Sequence, residues 1–220
     1  MSYRGMVIGL LWLLAPAVWA SEPAKQQDQS SRVENNTFIS MDNPTIRVKV
    51  NKKFEYVGSV PFIIDNESAG NRYIFVRAAA DKHIRQMFII QQEGFLPSSN
   101  DTYKYRITTP DTLGNSKYQH SVIFEDNEAT IREEPGREAD VTQQFLTAHG
   151  YVLEPELVMS RFARPVDSLR RHEIIFFCFE NLSSYRQELA DFSPNAASQA
   201  KESIKQKVDH NCRSIFRVKD

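Results

Sequence analysis

The chain has 220 residues, with 27 Lys and Arg against 28 Asp and Glu, a formal charge of −1, 41% hydrophobic residues and two cysteines. That balance gives no electrostatic basis for nucleic-acid binding. No apolar stretch beyond the N-terminus approaches the roughly 20 residues a membrane-spanning helix takes. The sequence carries no H-E-x-x-H, G-x-S-x-G, Gly-rich phosphate loop or G-x-G-x-x-G, which excludes the enzyme families built on those motifs but not sites assembled from dispersed residues.

Residues 1–20, "MSYRGMVIGLLWLLAPAVWA", read as a cleavable signal peptide: Arg4 before an apolar run from Met6 to Ala15, then small Val18 and Ala20 at the −3 and −1 positions. The expected mature chain is exported, to the periplasm or outside the cell, and soluble. Both tryptophans, Trp12 and Trp19, leave with this segment, while all fourteen Phe remain. Residues 21–36, "SEPAKQQDQSSRVENN", hold too little apolar surface to offset their ordering entropy and read as a flexible polar lead. A single globular domain is expected over 37–220.

From there the apolar period is two. "TIRVKV" places Ile46, Val48 and Val50 on one face of a strand. "FEYVGSVPFII" follows, bent or ended by Gly58 and Pro61. "DNESAGN" supplies a turn. It starts like a calcium loop, with Asp65, Glu67 and Gly70 at positions one, three and six, but lacks ligands at Ala69 and Val76. "RYIFVRAAA", "HIRQMFIIQQ", "YKYRIT" and "YQHSVIFE" are expected strands, and their short connections imply antiparallel pairing. Glu125 to Asp140 reads as a long solvated loop. A helix is expected over Val141–His149, with Asp140 as N-cap, Gln143 at N3 and Gly150 at C′; Val141, Phe145 and His149 form its stripe, with Leu146 beside it. The strands "LVMSRFAR" and "RRHEIIFFCFENL" come next, joined by "PVDS". A helical turn is expected around Tyr185–Phe192. A C-terminal helix, capped by Ser193 with Pro194 at N1, aligns Ala197, Ala200, Ile204, Val208 and Cys212 on one face.

Cys178 sits on a strand that is apolar on both faces: Ile174, Phe176 and Cys178 point one way, Ile175, Phe177 and Phe179 the other. Something must cover each side, and the helix whose apolar face ends in Cys212 is the natural cover for one. Two cysteines in an exported chain imply a disulfide, Cys178–Cys212. The alternative, a nucleophilic thiol, lacks a local base, since His172 lies six residues away, about 20 Å along an extended strand.

The five histidines, His83, His120, His149, His172 and His210, show no metal-ligand spacing, and no cofactor or metal site is expected. The densest local charge is Arg161, Arg164, Arg170, Arg171 and His172 around "PVDS". If that turn pairs Arg164 with Leu169, Arg161 faces His172 and Ala163 faces Arg170, a positive hairpin suited to a carboxylate, phosphate or lipid headgroup. The bland reading is a solvated hairpin that protects a sheet edge. Four N-x-S/T sequons occur, at Asn35, Asn66, Asn100 and Asn181.

The expected fold is α+β: a curved antiparallel sheet of about seven to nine strands, a cup or partial barrel. One helix flanks it, and the C-terminal helix packs on the outer face. The expected function is a non-catalytic exported protein that binds a small apolar or amphipathic ligand, or an anionic one at the arginines, in the concave face. The alternatives are an envelope interaction or assembly protein that binds a partner protein, and an enzyme with a dispersed site using His120 or His149 as base.

Overall fold

The computed structural model describes residues 31–192 and 198–219. The signal peptide, the lead up to Ser30, Ala197 and the Ser193–Pro194 cap lie outside the described residues. In chain order the described elements are β1 (Ser31–Glu34), β2 (Thr37–Met41), β3 (Thr45–Val50), β4 (Glu55–Ile64), β5 (Ser68–Ala78), β6 (Ile84–Phe95), β7 (Pro110–Leu113) and β8 (Ser116–Asp126). They continue as α1 (Asn127–Glu133), α2 (Glu138–Ala148), β9 (Glu156–Pro165), β10 (His172–Asn181), two 3-10 turns (Leu182–Tyr185 and Leu189–Phe192), α3 (Ser198–Ile215) and β11 (Phe216–Lys219). No described helix is long and apolar enough to cross a membrane.

The fold is α+β. Seven strands form one antiparallel sheet in the order β4-β5-β6-β10-β9-β8-β7, open at both edges, and four form a second in the order β1-β2-β3-β11. Period-two alternation explains how they stack. On β10, Ile174, Phe176 and Cys178 join a core with Phe75, Phe88 and Phe162 of the large sheet and Phe38, Ile46, Val48 and Val50 of the small one. Ile175, Phe177 and Phe179 join a second core on the other face, closed by Leu146 of α2 and Tyr151. Both sides of the apolar run Ile174–Phe179 of β10 are thus covered. Cys178 and Cys212 form the disulfide, with Cα atoms 5.6 Å apart. It clips α3 to β10, while Ile204 and Val208 pack on Val158 and Leu182; Ala200 is exposed.

Several local expectations are corrected. Ser31–Asn36 are not flexible lead: Ser31 and Val33 face inward, and Asn35 and Asn36, at φ 47° and 54°, make the left-handed pair that closes a two-residue hairpin. "FEYVGSVPFII" is one strand with a register shift between Tyr56 and Gly58, and Pro61 is tolerated because β4 is an edge. "YKYRIT" pairs with no strand; residues 96–109 run outside the strands as a strap that starts in a turn, with Ser99 N–H donating to Leu96 O at 2.9 Å. Glu125–Asp140 is no loop, because Asp126 caps α1 by accepting from Ala129 N at 2.9 Å. Helix α2 starts earlier than expected, and Asp140 instead accepts from Gly136 N at 2.8 Å. Its buried residues are Thr142 and Leu146, with His149 exposed. Its end matches expectation: Gly150 has φ +76°, and Gly150 N–H and Tyr151 N–H donate to the Thr147 and Leu146 carbonyls, a Schellman pair.

The register of β9 and β10 also differs. Pro165 pairs with Glu173 and Arg161 with Phe177. The connection is therefore residues 166–171 rather than "PVDS", because Asp167 gathers the N–H groups of Arg171 and His172.

Candidate functional site

Where the small sheet meets the β4–β6 end of the large one, a cleft of about 580 Å³ remains. Tyr56, Ser59, Asn71, Tyr73 and Gln92 line it from the large sheet, and Ser31–Val33 with Asp42 and Asn43 from the small one. The sheets are joined beside it by polar contacts: Ser31 Oγ donates to Gln92 Oε1 at 2.7 Å, and Gln92 Nε2 donates to Ser40 Oγ at 3.0 Å. Burial pushes the Tyr56 and Tyr73 phenols above their ordinary range, so both remain neutral donors. The far wall is Gly94 to Pro97 with His172.

His172 is held on one side only. Its Nδ1 lies 2.9 Å from Asp167 Oδ2, the same oxygen that accepts the His172 backbone N–H at 2.7 Å. Burial alone would raise the Asp167 carboxyl, but bonds from Arg171 N–H and His172 outweigh it and hold the group below its ordinary range. The ring fits because Gly94 carries no side chain: a Cβ there would lie 2.4 Å from His172 Cδ2 and 3.1 Å from Nε2.

The four arginines of the expected positive hairpin do not converge. Arg161 and Arg164 stand on opposite faces of β9, over Phe177 at 5.9 Å and over Tyr118 at 5.2 Å. Arg170 and Arg171 are committed to carbonyl oxygens of the strap and its root. Arg170 Nε donates to Tyr103 O at 2.6 Å and Nη2 to Tyr105 O at 2.5 Å; Arg171 reaches Asp101 O, Phe95 O and Leu96 O at 3.1, 3.3 and 2.8 Å. Of the five residues, only His172 lines the cleft.

Beneath the strap lies a polar layer that sequence reasoning missed. Glu93 and Glu173 are cross-strand partners on β6 and β10. Tyr103 Oη donates to Glu93 Oε1 and Tyr105 Oη to Glu173 Oε2, each at 2.7 Å. Burial first, and then the neighbouring Glu93 charge, push the Glu173 carboxyl up to about 8. Arg72, also buried, donates to Gln91 Oε1, Glu138 O and Thr142 Oγ1 at 2.6, 3.0 and 2.9 Å, tying α2 to the sheet; burial lowers it to about 10 against the pull of Glu138, Glu93 and Glu125.

The two histidines of the enzyme reading are placed differently. His120 Nε2 lies 3.1 Å from Ser160 Oγ and 3.0 Å from Asp209 Oδ1, with Asp111 3.8 Å from Nδ1. Ser160 is fully buried beside Cys178, so this Ser–His–Asp set offers a substrate no path to the hydroxyl; it anchors α3 to β8 and β9. His149 is exposed at the end of α2, with Nδ1 2.8 Å from Phe145 O. Among the described residues, no group of three or more His, Cys, Asp and Glu is arranged to hold a metal. Asn181 is buried and donates to Ile84 O at 2.7 Å, whereas Asn35, Asn66 and Asn100 are exposed. Compared with known proteins, the chain matches no family model, no curated protein and no solved structure.

Proposed function

We propose that this is a non-catalytic exported protein that holds a small amphipathic ligand in the cleft between its two sheets. The observation that carries the reading is the cleft itself: about 580 Å³, lined by the Tyr56 and Tyr73 rings and by hydrogen-bonding side chains such as Ser59, Asn71 and Gln92. Small-molecule sites typically span roughly 300–1,000 Å³ and combine apolar walls with a few placed polar groups. The ligand space lies at the junction of the sheets because packing fills both faces of the larger one. Export is supported by the apolar N-terminal twenty residues and by the disulfide. A partner protein adding to a sheet edge has less support: β1, β7 and β11 are four residues long, and β4 is interrupted by a bulge and Pro61.

Native mass spectrometry of protein purified without detergent tests this. The expected result is a discrete mass increment that denaturation removes and that is absent in Tyr73→Ala. An increment that survives Tyr73→Ala in folded protein would move the ligand elsewhere. Bare protein that also fails to bind naphthol would end the reading.

A further inference from the structure

We propose that His172 is the polar anchor of this cleft, and that its Nε2 accepts a hydrogen bond from a hydroxyl group of the ligand. The cleft then takes a small apolar ring or chain bearing a phenol or alcohol, rather than a carboxylate or phosphate. The proposal rests on the cleft being the ligand site.

The direction of the bond follows from what lies behind the ring. Asp167 accepts from Arg171 N–H, His172 N–H and His172 Nδ1. An ionised carboxylate can only accept, so in the neutral imidazole the proton sits on Nδ1 and Nε2 carries the lone pair. Nε2 makes no hydrogen bond among the described residues. The ring is fixed between Asp167 and the Gly94 backbone, a pre-set acceptor that loses little freedom when it binds.

The charge around the cleft selects against anions. Among the described residues, Arg32 is the only Lys or Arg in its lining, and its Nε is 2.6 Å from Glu34 Oε1. Asp42 also lines the cleft, and Asp167 stands directly behind the imidazole. A ligand carboxylate would meet these negative charges with no unpaired Lys or Arg among the described lining residues to offset them. Apolar surface lies next to the acceptor: Phe95, Leu96 and Pro97 continue the wall from Gly94, and Phe95 N–H donates to Arg171 O at 2.9 Å, which seats them beside His172.

The test uses three naphthalene probes of nearly equal size: β-naphthol, its methyl ether and naphthoate. Wild-type protein in mildly alkaline buffer is expected to bind naphthol about fivefold more tightly than the ether, the scale of one neutral hydrogen bond, and naphthoate more weakly than either. His172→Ala should erase the preference for naphthol, His172→Gln should keep part of it through its amide oxygen, and His149→Ala should keep all of it. Nitrogen NMR of the wild-type protein, which needs no variant, should show a bare Nε2 that shifts with naphthol but not with the ether. Equal binding of naphthol and ether, a preference that survives His172→Ala, or a proton resident on Nε2 would overturn the proposal while leaving the cleft reading intact. If no probe binds, the cleft reading falls and takes the anchor with it.

Discussion

On one face of the seven-stranded sheet, Phe88, Phe162 and Phe176 pack against Phe216, and a disulfide closes the layer. On the other face, one residue along the same strands, Arg72, Gln91 and Glu173 are buried and the strap above them is tied by side chains. The aromatic face gains from area removed from water and from a shortened unfolded chain; neither depends much on pH or salt. The polar face also holds the apolar core of Ile175, Phe177 and Phe179, but its polar layer gains only while every donor and acceptor stays matched, because an unmatched buried group costs its full desolvation. The two faces should therefore fail under different insults.

The largest expected effect is on the aromatic face. Replacing Cys178 and Cys212 together by Ala opens a loop whose ends are 34 residues apart and should cost roughly 3–4 kcal/mol in denaturant unfolding, with little change between acid and alkaline buffer. On the polar face, Arg171→Ala strips the donor from three carbonyls. It should cost about 1–3 kcal/mol and speed amide exchange in residues 96–105 while leaving β2 and β3 unchanged. Uniformly faster exchange would mean that the strap is not a separate unit.

The smallest effect is the most diagnostic. The Glu173 carboxyl, ordinarily near 4.5, holds its proton up to about 8 in the fold, so the native chain binds a proton that the unfolded chain has already lost. That contribution is fully present below pH 4.5 and is lost as pH rises to about 8. Glu173→Gln should flatten the decline and leave the variant about 1–2 kcal/mol more stable than wild type at the alkaline end. An unchanged slope would show that another group carries it.

What was legible in the sequence divides along the same line. The two-sided burial of β10 and the Cys178–Cys212 link follow from strand period and cysteine count, which are local or nearly so. The polar layer is not local: Arg72 meets Thr142, Tyr105 meets Glu173 and Arg170 meets Tyr103, each pair 65 or more residues apart, and no spacing rule connects them. The arginine patch failed as a patch because its geometry depended on the turn, and an Asp167 carboxylate collecting three N–H groups lengthened that turn. The Asn35–Asn36 hairpin was readable and overlooked, since polar composition outweighed a turn signal that two adjacent asparagines carry in plain view. His172 was noticed for its charge; its place in the cleft depends on Gly94, its cross-strand partner on β6.

Asn181 carries a consequence for production of the protein. Its amide is sealed inside the fold and bonded to Ile84 O, while the other three sequons stand in the open. In a host that attaches glycans during translocation, the sugar and the native end of β10 compete for the same nitrogen. A chain modified there would be diverted before folding, while sugars at Asn35, Asn66 or Asn100 would be carried harmlessly. Occupancy of Asn181 would then act as a quality mark, enriched in whatever the host retains and depleted in what it releases.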